Sequence, residues 1–188
     1  MSVVSLRRPT EEWSEWVGFG EILLYDPGVK DVEVLLSGLD SHCYAIPLTD
    51  GAAKSLIESL LSTASVRVIH LLGHGTPGTI RLGDFTLDTD SWASIHEALE
   101  TNAKAVDTFK AIKTINFWSC DTGHGEIGMK FLQDIANTTG ATVNGSDQKV
   151  GAAGAGGSWA LNRTASPVPP FSQNVLDQFG EVLSHDES

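Results

Sequence analysis

The sequence predicts an α/β layer structure on a mainly parallel sheet, and three observations carry that reading. Apolar runs of strand length recur along the chain at residues 21–26, 42–48, 66–72 and 112–118. Between them lie segments whose apolar residues repeat with helical spacing, so strand and helix alternate. The runs are continuous rather than alternating, which indicates a sheet covered on both faces.

Each element follows from its residues. Residues 1–20, with Trp13, Trp16 and Phe19 set among acids, read as an amino-terminal arm or short amphipathic helix laid against the body. Residues 21–26, EILLYD, form the first strand, stopped by Asp26-Pro27-Gly28. Val32, Leu35, Leu36 and Leu39 mark a helix ending near Gly38. A second strand over 42–48 closes at Thr49-Asp50-Gly51, and Leu56, Ile57, Leu60 and Leu61 mark a helix over 52–61. The third strand lies within VRVIHLLGHG, residues 66–75, and a turn and small hairpin over 79–87 follow it. A helix over 88–105 carries Trp92, Ile95, His96 and Leu99 on its apolar stripe, with its cap among Asp88, Asp90 and Ser91. The fourth core strand covers 112–118. A long helix over 125–139, with Ile127, Phe131, Leu132 and Ile135 inward, stops at Gly140, and a short strand spans 141–144. Residues 150–157, VGAAGAGG, read as small and flexible, 158–161 as a strand-like patch, and 175–183 as a final short helix before an acidic tail. The organisation expected is an arm over 1–20, one α/β domain over 21–162, and a Pro-containing loop with a terminal helix and tail over 163–188 packed on that same domain.

Bulk composition narrows the function classes. A chain of 188 residues, 41% hydrophobic, can bury one sizeable core without disulfides. Its net charge of -12, with scattered basic residues, repels phosphate backbones and anionic membranes, so no nucleic-acid partner is expected. No apolar segment is long enough to span a bilayer or to act as a signal peptide, so membrane insertion is not expected either. Two cysteines in separate apolar runs suit free thiols, and the expected location is the cytoplasm, or export without a classical amino-terminal signal. The oligomeric state is not legible.

Two strand ends bear reactive side chains. His74 follows the third strand and Cys120 the fourth, and in parallel sheets chemistry collects at the carboxyl ends of the strands. A thiol attacks a carbonyl as thiolate, so it needs a base in reach. His74 supplies that base. Gly75, lacking a side chain, lets a substrate carbonyl approach, and its N–H and that of Cys120 can donate together to an oxyanion. The helix beginning near Gly125 can add N–H groups facing the sulfur.

The same residues carry a resemblance. The pairing of an apolar strand ending in His-Gly with one ending in a small residue and Cys resembles the signature of the caspase-like (clan CD) cysteine peptidases. More closely, residues 22–161 are similar to a bacterial domain family found near the amino end of giant repeat-bearing RTX-type surface proteins. The matching segments are Asp26, Leu35-Leu36-Ser37-Gly38-Leu39, residues 70–83, residues 117–146 and Gly156-Gly157-Ser158-Trp159-Ala160-Leu161. The resemblance implies a three-layer αβα caspase-like (caspase-hemoglobinase) fold with a small β-hairpin insertion after the His strand. It also implies a hydrolase: a cysteine endopeptidase with His74 and Cys120 as dyad and Gly75 on the oxyanion side, acting on a protein or peptide substrate through a thioester, without cofactor. Gly73 stands where that family more often has serine, and Trp118-Ser119 where it has a smaller residue plus glycine.

Substrate binding is expected from Asp147, Asp121, His124 and Trp118. Asp147 or Asp121 could receive an Arg or Lys side chain before the scissile bond. With that preference, Lys149 or Arg163 become self-processing points. The competing reading is a catalytically inactive structural or protein-binding module of the same fold. No metal site is expected: His70 and His74 lie about 13 Å apart if both sit on one strand, and no donor pair has zinc spacing. No dinucleotide or phosphate-loop fingerprint follows the first strand.

Overall fold

Among the described residues eight short strands form. In chain order they are β1 (Glu21–Tyr25), β2 (Cys43–Pro47), β3 (Val68–Leu72), β4 (His74–Thr76), β5 (Thr79–Leu82), β6 (Phe85–Leu87), β7 (Thr114–Trp118) and β8 (Thr142–Gly145). The structure, a computed structural model, describes residues 20–49, 51, 53–55, 57–58, 66–101, 111–162 and 165–184, and the expected arm over 1–19 lies outside the described residues. Five strands pair in the order β2-β1-β3-β7-β8, every pair parallel. The three others form a small antiparallel sheet, β4-β5-β6. The expected hairpin thus gains a strand, and that strand begins at His74.

Among the described residues the helices are α1 (Val32–Ser37), α2 (Thr89–Glu100), α3 (Gly125–Thr139) and α4 (Gln173–Gln178), and residues 53–55 and 57–58 are also helical. One face of the main sheet buries Ile22, Leu24, Ile69, Leu71, Ile115 and Phe117 against Trp92, Ile95 and Leu99 of α2 and Phe131 and Ile135 of α3. The other buries Leu23, Leu72 and Trp118 against Val32 and Leu35 of α1 and Val175 and Leu176 of α4. Helices therefore flank both faces, as the continuous apolar runs require.

Local chemistry sets the helix ends. Asp88 caps α2: its carboxylate accepts from the Ser91 N–H at 2.9 Å, and the Ser91 hydroxyl accepts from the Asp88 N–H at 2.8 Å. Gly140 ends α3 in the left-handed conformation. Ile127, expected inward, is 68% exposed. The buried stripe of α3 runs through Gly128, Phe131, Ile135 and Thr139, and Ile127 sits one position off it. The expected helix over 175–183 is shorter and earlier. The Phe179 N–H closes the last turn on the Val175 carbonyl, and beyond it residues 181–183 run extended, their backbone groups paired with residues 150–152.

Polar groups cross the covered sheet in one hydrogen-bonded row. The Trp118 Nε1–H donates to His70 Nδ1 at 2.9 Å, so His70 carries its proton on Nε2, which donates to Glu21 Oε1 at 2.5 Å. Asn116 accepts from Asn144, and Asn144 from Asn162. The hydrogen bond from His70, opposed by burial, holds the Glu21 carboxyl below the usual carboxylate range. A carboxyl depressed in the folded state binds protons more readily unfolded. Its stabilisation is therefore complete above the unfolded value and lost as pH falls through the folded one. Glu21→Gln is expected to lose about 2 kcal/mol in urea titrations at pH 7, with the gap to the parent narrowing in acid.

Candidate active site

The rim of interest is built by two adjacent strand ends. Leu72 and Trp118 are the last register partners of β3 and β7, so His74 and Cys120, each two residues further on, leave the sheet at the same level. The ladder extends one step past the strands, with the Gly73 N–H donating to the Trp118 carbonyl at 3.3 Å. His74 then opens β4, opposite Arg81, and is partly exposed.

Gly75 lies against the cysteine turn. A β-carbon placed on it would come within 2.2 Å of the Cys120 carbonyl oxygen and 2.9 Å of Ser119 Cβ. A backbone oxygen cannot swing aside as a long side chain could, so this approach requires glycine. Its consequence is a pair of convergent donors. The N–H of Gly75 and the N–H of Cys120 both donate to one oxygen, the Leu183 carbonyl, at 3.1 and 3.0 Å. Two backbone N–H groups from different strand ends meeting on one carbonyl oxygen are the arrangement an oxyanion hole needs, at distances that suit it.

Cys120 is fully buried. Its sulfur receives the Val150 N–H at 3.1 Å and lies 3.5 Å from the Val150 carbonyl. The N–H reaching the sulfur is thus from Val150, where the sequence suggested the terminus of α3. Burial pushes the thiol up, and the backbone N–H groups of Val150 and Leu183 pull it partly back, with Asp121 and Lys149 adding opposed charge effects. Cys43, buried beside Glu21 and Asp40, is pushed up to about 12. Both cysteines are free thiols. In the intact chain Cys120 should therefore react with iodoacetamide more slowly than an unstructured cysteine peptide at pH 7.5, speeding up as pH rises, with Cys43 slower still. Peptide mapping of alkylated residues against time checks this order.

The turn after the cysteine is held by backbone and hydroxyl contacts. Asp121 adopts φ 56, an unusual conformation for a residue other than glycine, and its N–H donates to Gln148. The Ser119 and Thr122 hydroxyls meet at 2.5 Å, and Thr122 donates to the Thr79 carbonyl, tying this turn to the small sheet. His124 is exposed at the amino end of α3, and its Nδ1–H donates to the Asp147 carbonyl at 3.1 Å. Asp147 itself is exposed. His124 and Asp147 are thus joined beside the cysteine turn, and Asp121 is within it. Trp118 lies beneath the rim, fully buried, with its ring centroid 6.2 Å from that of Trp159. Of the donors weighed for a metal, His70 is taken up by Glu21 and Trp118. Among the described residues no group of three or more metal-ligating side chains converges.

Val150, Leu183 and Ser184, which touch the rim, carry no motif that would have marked them. Their role follows only from long-range pairing. Among the described residues no helix is long and apolar enough to cross a membrane. A family model described as a domain of unknown function, DUF4347, matches residues 22–183. No curated protein matches the chain.

Proposed function

This chain belongs to the DUF4347 family, a domain of unknown function, and from its rim geometry we propose that it is a cysteine endopeptidase of the caspase-like kind. Cys120 is the nucleophile and His74 the base, and the Gly75 and Cys120 N–H groups bind the oxyanion. The observation that carries this reading is the convergence of those two N–H groups on a single peptide carbonyl.

The chemistry runs in two halves. His74 takes the Cys120 proton, the sulfur adds to a peptide carbonyl whose oxygen lies between the two donors, and the imidazolium returns the proton to the departing amine. Water, activated by the same imidazole, then hydrolyses the thioester and frees the thiol. No cofactor enters. The two free thiols suit a reducing compartment, or export without a classical amino-terminal signal.

The full burial of Cys120 and its raised pKa favour the second reading, an inactive protein-binding module. Incubation with a peptide library, read by mass spectrometry, separates the two. The peptidase reading expects new termini that disappear in Cys120→Ala, and cleavage that survives this substitution ends it.

A further inference from the structure

The carbonyl between the two donors belongs to the chain itself, and its neighbours are held as a bound peptide would be. Leu183 donates its N–H to the Val150 carbonyl at 2.8 Å, and the Glu181 carbonyl accepts from the Ala152 N–H at 2.8 Å. Val182 pairs antiparallel with Gly151, and Ser184 bridges to Gly75. Residues 181–184 therefore lie extended across the strand ends as an added strand. The loop beneath is shaped for them. Gly151 has φ 133, and a β-carbon there would fall 2.4 Å from the Glu181 carbonyl oxygen. The Leu183 side chain is fully buried in the apolar cluster that holds Leu72, Trp118, Cys120 and Val150. The Val150 carbonyl that accepts the Leu183 N–H also lies 3.5 Å from the Cys120 sulfur, and the Leu183 carbonyl oxygen sits on the two donors, one of them the N–H of Cys120 itself.

Resting on the peptidase reading above, we propose that residues 181–184 are the enzyme's own substrate strand. The Leu183–Ser184 bond is positioned for cleavage, and the site takes an extended peptide with a buried apolar residue, leucine here, on the acyl side. Cys120 sulfur bonds to the Leu183 carbonyl carbon, the Leu183–Ser184 C–N bond breaks, and the Ser184 amine leaves with the proton carried by His74. One water then cleaves the thioester, leaving a Leu183 carboxylate and the Cys120 thiol. Until an outside peptide displaces it, this strand occupies the cleft.

The test is the intact mass of the full chain over time, beside Cys120→Ala. Loss of residues 184–188 from the parent, at a rate independent of chain concentration, and no loss from the variant is the expected result. An intact parent, or cleavage after Lys149 or Arg163 instead, overturns the proposal. Two added peptides spanning residues 180–185, GEVLSH and the same with arginine for leucine, give a second arm that does not depend on altering the core. The leucine peptide should be cut at least about tenfold faster, since an apolar cavity rejects a guanidinium, and the reverse order overturns the apolar preference. Cys120-dependent cutting of either peptide without the self-cut leaves the peptidase reading standing. No Cys120-dependent cutting of any bond removes both.

Discussion

Cys120→Ala is expected to lower kcat/KM on a cleavable peptide by at least about a thousandfold, equivalent to about 4 kcal/mol of transition-state stabilisation. The residue lost is the one that forms the acyl bond, and the donors at Gly75 and position 120 remain, because both are backbone N–H groups. His74→Ala should fall by a similar amount, and the double variant hardly further, since base and nucleophile act as a unit. Stability should barely move in His74→Ala, whose side chain is only partly buried. Steady-state kinetics with urea titration on each variant separates loss of chemistry from loss of fold.

Trp118→Ala should show the largest stability loss, about 4 kcal/mol. The side chain is fully buried, its ring packs near Trp159 and His70, and its Nε1–H is the 2.9 Å donor to His70 Nδ1. Trp118→Phe keeps most of the volume and removes that donor, leaving His70 Nδ1 with the 3.4 Å contact from Asn116. Its cost should be about 2 kcal/mol, the penalty of an under-satisfied buried acceptor. Urea unfolding of the two variants tests the division. Equal losses would mean that the hydrogen bond carries the effect and the packing little.

The strand ends were legible because an apolar run signals where it stops as clearly as where it runs. Once β3 and β7 are neighbours, the equal spacing of His74 and Cys120 from Leu72 and Trp118 brings them to one level. The terminal segment was not legible. Residues 175–183 contain apolar residues at Val175, Leu176, Phe179, Val182 and Leu183, and a short apolar pattern reads as helix or strand alike until its distant partner is known. Here that partner, residues 150–152, lies in a glycine-rich stretch read as flexible. Two of its glycines serve close approach, Gly151 against Glu181 and Gly157 against Gly151 and Val182. Glu21 and His70 were opaque for a related reason: a polar residue inside an apolar run acquires meaning only when the adjacent strand supplies its partner.

The central claim, a Cys120 nucleophile served by His74 at this rim, is tested most directly by mapping the adduct of a peptidyl chloromethyl ketone. Labelling confined to Cys120, reaching one adduct per chain and lost in His74→Ala, is the result predicted. Labelling shared equally with Cys43, or unchanged when His74 is replaced, would contradict it.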